Sequence, residues 1–390
     1  MNWTDRTLLL PLVCGVVFAF PAAAQVRGVT DDTITLGTHL AMSGPLASWG
    51  TQVANGLRMR FDEQNEAGGI HRRKVELIVE DNQFNPARAA QVGNKLIEKD
   101  NVFAIIGALG TSTNLVVMPR AYEAGVLNLF PVAAGRQLYE PFNRLGFVAS
   151  APHYDNMRLA VKHLVETEGK KRICVMAQSN ELGEEVKAGV TDQLKAMNME
   201  LVAETRHGPS DRDFTAAIAK LREANCDLIA LGSVVVDTIS PIVTARKAGW
   251  DVTFLGSSSA YASENIDLAK GATEGLYVTA QMEIPNAEAP GKMGAFVKAY
   301  RDRYSADPGF QAALGYTFAD LFIAAADRAG RDLTADTFVS ALEAQKGYRD
   351  PFGSGPVIEF GPEKRLGTNA AFLSRVVDGK WKKVSEVLSY

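Results

Sequence analysis

Cysteine is scarce in this chain of 390 residues, and of the three present only Cys174 and Cys226 lie beyond the first two dozen positions. That excludes a disulfide-dense scaffold and a cysteine-rich metal module. Histidine is nearly as rare, and His39, His71, His153, His163 and His207 show no metal-ligand spacing. No H-E-x-x-H, C-x-x-C or G-x-S-x-G stretch occurs, and the glycine run Gly107–Gly110 lacks both the phosphate-loop lysine and the dinucleotide fingerprint. No catalytic residue, metal or cofactor is therefore expected, and the chain does not read as an enzyme. Basic excess is missing too: the formal net charge is −4 with no basic run, which argues against nucleic acid as a partner.

Long apolar runs are absent after the first residues. Arg6 precedes the stretch Leu8–Phe20, and Ala22-Ala23-Ala24 follows before Gln25. A positive start, a short apolar centre and small residues at the end predict a cleavable secretory signal over 1–24 and a periplasmic mature chain. Cys14 sits in a poor lipidation context after Pro11-Leu12-Val13. About 366 residues then remain, too many for one core and sufficient for two domains. Cys174 opens the apolar stretch Ile173–Met176 and Cys226 precedes another, so buried thiols are expected. A disulfide is the alternative that an oxidising compartment permits.

What the chain does contain is a short repeated text. Lys95-Leu96-Ile97-Glu98 runs into Phe103-Ala104-Ile105-Ile106-Gly107, and Lys220-Leu221-Arg222-Glu223 runs into Leu228-Ile229-Ala230-Leu231-Gly232. Each copy reads as the end of an amphipathic helix, a tight connection and a buried strand closed by glycine. Such strand ends are where a parallel sheet receives a ligand, so the repetition predicts two similar lobes with a cleft between them. Strand and helix alternate from Thr33 to Val132 and again from Arg172 to Leu255. The expected strands include Phe103–Leu109, Glu200–Thr205 and Val252–Leu255. This pattern calls for an α/β fold with parallel sheets. Helices Met293–Tyr304, Ala312–Ala329 and Ala335–Gln345 break the rhythm, and Val376–Trp381 reads as a hairpin turning at Asp378-Gly379.

The segment Leu40-Ala41-Met42-Ser43-Gly44-Pro45-Leu46-Ala47-Ser48-Trp49-Gly50 resembles the first binding loop of the periplasmic leucine/isoleucine/valine-binding proteins of ABC importers. Asn65–Ile70, Glu80-Asp81-Asn82 with Asn85-Pro86, Ile105–Gly107, Lys247–Trp250 with Phe254–Gly256, and Glu274–Leu276 agree in order and spacing. The resemblance implies two Rossmann-like lobes joined by three crossovers, the type I periplasmic binding fold. It places residues 25–152 and 282–353 in the N-terminal lobe, and 153–281 and 354–390 in the C-terminal lobe. It also implies a monomer that hands a small-molecule solute to the membrane subunits of an importer. A ligand-sensing partner of a separate receptor is the other reading.

By the same resemblance, Thr111 supplies a hydroxyl to a ligand carboxylate, beside the backbone of Leu109 and Gly110. A helix that starts with Thr and Ser offers unpaired N–H donors in any case, though capping alone is the plainer role for Thr111. The second carboxylate hydroxyl of the family falls on Ala134, leaving only backbone donors over Val132, Ala133 and Ala134. The acid that neutralises a ligand amine falls on Ser258, and its tyrosine neighbour on Val234. A buried ammonium without a carboxylate is costly, so either Glu181 replaces the acid or the solute carries no amine; the second is expected. Trp49 matches the aromatic wall, and Tyr261 is a further wall candidate. His153 and Tyr154, at the first crossover, are candidates for a hydrogen bond to solute or for hinge packing. Arg136 is read as solvated or anion-pairing, and Glu184-Glu185 as a solvated helix face. The expected solute is a small aromatic or branched carboxylate without an α-amine, ahead of a branched-chain amino acid.

Overall fold

A computed structural model describes residues 26–208 and 211–390; the signal-like segment lies outside them. The first half alternates as β1 (Thr33–Leu40), α1 (Ala47–Glu66), β2 (Lys74–Asp81), α2 (Pro86–Glu98), β3 (Ala104–Ile106), α3 (Thr111–Glu123), β4 (Leu127–Leu129) and β5 (Gly146–Phe147). The second continues with α4 (His153–Glu168), β6 (Ile173–Gln178), α5 (Glu181–Ala196), β7 (Ala203–His207), α6 (Thr215–Glu223), β8 (Leu228–Gly232), α7 (Val235–Lys247), β9 (Thr253–Gly256), α8 (Glu264–Asp267) and β10 (Tyr277–Ala280). Helices α9 (Lys292–Tyr304), α10 (Phe310–Ala329) and α11 (Ala335–Ala344) follow, then β11 (Phe372–Val377) and β12 (Lys380–Lys383).

Two sheets form, in the orders β2-β1-β3-β4-β5 and β7-β6-β8-β9-β10-β11-β12. The first five places of the two sheets correspond one to one. The repeated text therefore occupies equivalent positions, with α2 leading into β3 and α6 into β8. Pairing is parallel up to β10, and the last hairpin adds antiparallel strands. β3 is shorter than the expected Phe103–Leu109 because Gly107 turns at φ 64, though Leu109 still bridges Val132. β7 starts later than Glu200, at Ala203.

Local chemistry sets the helix ends. The Asn85 side chain accepts the N–H of Arg88, and Pro86 starts α2 where its missing N–H is harmless. Asn180 caps α5 through the N–H of Gly183. Gly169 ends α4 in the left-handed conformation.

The late helices return to the first sheet. α10 crosses α1 so closely that a Cβ on Gly56 would sit 2.0 Å from the carbonyl of Ala312, and one on Gly315 2.4 Å from that of Val53. Phe322 meets Phe61 and Phe103 edge-on at 6.0 and 6.4 Å, closing the core beneath. The chain then stays with this sheet longer than the boundary at 354 anticipated. Phe360 packs on Phe147 at 5.2 Å, Leu366 bridges Val148, and the buried Arg365 pairs with Glu343 at 2.9 Å. The seven-stranded sheet is reached at Phe372. The connecting segments run side by side: Gln281 donates to the Ala151 carbonyl at 3.2 Å, and the Glu283 N–H to Ser354 Oγ at 3.3 Å.

The expected buried thiols are instead a disulfide, Cys174–Cys226, with Cα atoms 5.9 Å apart. Pairing of Ile173 with Leu228 across β6 and β8 brings the approach to β8 beside the start of β6.

Candidate ligand-binding cleft

Parallel strands end in loops on one edge of each sheet, and here those edges meet. The Ala134 carbonyl accepts the N–H of His153 at 2.9 Å. Ser48 donates to Glu264 at 3.1 Å, and Arg136 Nε donates to both Glu185 oxygens at 3.2 and 3.1 Å. Ser48 follows β1 and Arg136 follows β4, so β3 and its Thr111 lie between the two contacts. On the facing lobe, Glu264 follows β9 and Glu185 follows β6, and β8 with Val234 lies between them. The strand order thus sets Thr111 and Val234 between these two contacts.

Thr111 is the first residue of α3, and Gly110 holds the cap position at φ 98. No side chain caps this helix, so the plainer role expected of Thr111 is absent. Thr113 Oγ1 turns back to the carbonyls of Leu109 and Gly110, and Asn114 Nδ2 holds those of Ala108 and Gly110 at 3.0 and 2.7 Å. The strand end is thereby tied down while the first N–H groups of α3 have no acceptor among the described residues. Unpaired donors at a positive helix terminus attract a carboxylate. Gly135 lies against Thr111, where an added Cβ would be 2.7 Å from its Cγ2. Leu109, Gly110 and Val132–Ala134 form one surface, since Gly110 N–H donates to Val132 and Val132 N–H to Ala108 at 3.1 and 2.9 Å.

Trp49 lies in the first turn of α1 rather than in a loop, half-buried, with no partner for its indole N–H among the described residues. The preceding loop is fastened by Asp81, which accepts from Met42 N–H at 2.9 Å and Ser43 Oγ at 2.6 Å. Burial pushes the Asp81 carboxyl up, but the bonds from Ser43, Gln83 and Met42 outweigh it and hold it below the usual range.

On the second lobe, Ser259 Oγ donates to the Ser233 carbonyl at 2.8 Å, joining the loops that carry Ser258 and Val234. Val234 holds the cap position just before α7, and its N–H is taken by Asp237 at 3.0 Å. Asp237 is buried and also engaged by His207 at 2.8 Å and Gln178 at 2.6 Å. Glu181 is exposed at the start of α5.

Several candidates have other partners. Tyr261 is 2 % exposed, wedged between Phe310 and Trp381, and its hydroxyl accepts the Ile284 N–H at 3.2 Å. It is packing between elements rather than an open wall. Tyr154 directs its hydroxyl to Asp192 at 2.8 Å and its ring under Arg136 at 4.0 Å. His153 is buried, its pKa lowered to about 4 by desolvation, and its Nδ1 has no partner among the described residues. Arg136 is partly exposed and does pair with an anion, the Glu185 carboxylate, through its Nε. Of the supposedly solvated pair, Glu184 is exposed but Glu185 is 5 % exposed and held by Arg136. Charge alone suggested a wet face; the register of α5 turns position 185 inward. Sequence reasoning also missed Asp81 as the loop anchor, although its segment was noted, and Glu264, which carries no signal.

Two bodies built on parallel sheets of matching strand order, joined by connecting segments that run side by side, define the two-lobed type I class of solute-binding protein. Residues 33–380 match the family described as periplasmic binding protein, and the chain belongs to that family. It is 28% identical over 270 residues to a leucine-specific-binding protein from Salmonella typhimurium, covering 69% of this chain and 71% of that one. Among solved structures, a leucine-binding protein from Thermotoga maritima matches with TM-score 0.81 and 20% identity, covering 92% and 99% of the two chains. A fatty acid ABC transporter substrate-binding protein from Thermomonospora curvata matches with TM-score 0.84 and 23% identity, covering 94% and 95%. These structural likenesses carry the fold. Among the described residues, no helix is long and apolar enough to cross a membrane and no acidic or histidine cluster could hold a metal.

Proposed function

We propose that this protein is the periplasmic solute-binding subunit of an ABC importer, a monomer that captures a small carboxylate without an α-amine by closing its lobes. The observation that carries this reading is an imbalance of charge across the cleft. The first lobe offers open donors at α3 with Thr111, while the second has Ser258 where an amine would need an acid. The buried carboxylates nearby are committed, Asp237 to His207, Gln178 and the Val234 N–H, and Glu185 to Arg136. An ammonium placed there would be desolvated without a counter-charge. Trp49 favours an aromatic or branched body on the acid. Solute contacts to both lobes would favour the closed state, and micromolar capture needs roughly −8 kcal/mol, within reach of a few hydrogen bonds and an apolar wall.

The similarity to a leucine-specific-binding protein favours a second reading, a branched-chain amino acid. A thermal-shift screen of protein refolded free of solute separates the two. Benzoate, phenylacetate and 4-methyl-2-oxopentanoate are expected to raise the melting temperature, and L-leucine and L-valine are not. Stabilisation by leucine or valine at low micromolar concentration, with every acid silent, overturns the preference.

A further inference from the structure

We propose that Arg136 is a positioning residue for solute capture: its ion pair with Glu185 pins the two lobes together and tunes affinity without touching solute. The proposal rests on the reading that capture proceeds by lobe closure. Arg136 stands in the loop after β4 of the first sheet, and Glu185 in the second turn of α5 beside the other sheet. One guanidinium N–H is shared by both carboxylate oxygens, at 3.2 and 3.1 Å. The Glu185 side chain is 5 % exposed, and the guanidinium lies 4.0 Å from the centre of the Tyr154 ring.

These facts make the pair sensitive to lobe position. A carboxylate this buried is tolerable only with its partner. Arg136 is its ion-pair partner among the described residues. The surroundings supply no replacement. Glu140 and Asp155 add negative charge around Glu185, and Arg158, the other cation nearby, is occupied by Gln193 at 3.4 Å and by the Tyr390 ring. Separating the lobes enough to part the pair would carry Arg136 and its loop neighbour Glu140 away together and leave Glu185 beside Asp155 without its cation. The contact on the opposite flank, Ser48 to Glu264, is a single bond between more exposed groups and is the weaker of the two. The Arg136 pair is therefore the stronger polar tie holding the lobes together. Its removal should favour separation.

The test places nitroxides on cysteines introduced at exposed positions, Arg88→Cys on the first lobe and Val236→Cys on the second, in the otherwise complete protein with its native disulfide. Distance distributions are measured without solute and with benzoate, 4-methyl-2-oxopentanoate or L-leucine in turn. Dissociation rates are measured for whichever probe binds. Arg136→Met and Glu185→Gln are each expected to move the solute-free distribution to longer distances and to speed dissociation about tenfold, a usual size for coupling between sites. The double variant should be no worse than either single, and Arg136→Lys should recover most of the loss. Glu185→Gln keeps the side-chain volume, so the test survives if Arg136→Met folds poorly. Unaltered distances and rates in both single variants, or single effects that multiply in the double, overturn the pin while leaving closure intact. A wild-type distribution that no bound probe shifts overturns closure, and the pin falls with it.

Discussion

Reducing the Cys174–Cys226 bond should strip the second lobe of much of its stability. The bond spans a sequence separation of 52 residues, a loop that contains most of β6 and all of α5, β7 and α6. Loop-closure entropy lost by the unfolded chain corresponds to about 4 kcal/mol for a loop of that length. Both cysteines are buried and β6 and β8 are already paired, so the folded contacts survive without the bond. The whole effect is then expected through the unfolded state. Protein refolded with and without reductant would be unfolded in urea and followed by tryptophan fluorescence, with Trp250 and Trp381 reporting the second lobe. With a slope of roughly 2–3 kcal/mol per molar, the midpoint should fall by about 1.5 M. Coincident midpoints would refute the reasoning, since they would mean that the cross-link constrains nothing the unfolded chain explores.

Thr111→Ala should weaken binding of a stabilising carboxylate by about 1–3 kcal/mol, read by calorimetry, because a charge-assisted hydroxyl bond is lost; equal affinity removes Thr111 from the site. Asp81→Asn should loosen the loop at Met42 and Ser43 and weaken the same probe. The depressed carboxyl of Asp81 lends its support above the unfolded value and loses it as pH falls through the lower folded one. Affinity of the wild type should therefore hold to a lower pH than an ordinary carboxylate would allow, and a midpoint at the usual value counts against the anchor. His39 and His153, both lowered to about 4 by burial, stay neutral in the fold while the unfolded chain takes protons below about 6.5. Stability should be complete above that value and decline as pH falls toward 4; imidazole resonances that titrate near 6.5 in the folded protein contradict this. Gly56→Ala should lower stability by about 1–3 kcal/mol through overpacking against the Ala312 carbonyl, and an unchanged urea midpoint would show that the two helices can part.

Local pattern carried most of the architecture. The apolar run Leu228–Gly232, bounded by turn residues, suits a buried strand, and Asn85-Pro86 or Asp378-Gly379 carry local signals that start a helix or turn a hairpin. The repeated helix–strand text announced two equivalent lobes, because each copy has to bury the same face in the same kind of sheet. Elements with weaker local signatures were harder to read: α4 begins at His153 without a side-chain cap, and β10 is held by neighbours on both sides. The start of α3 at Thr111 was legible because a hydroxyl residue after glycine at a strand end has local meaning.

What only the tertiary structure decided are pairings between distant residues. Cys174 found Cys226 because two strands align, and Glu185 turned inward because α5 packs that way. Phe360 kept its segment on the first lobe through rings that belong to β5 and the loop after β4. The charge, size and polarity of each side chain are properties of the chain, but which opposite charge it meets and whether water reaches it depend on packing between elements far apart in sequence.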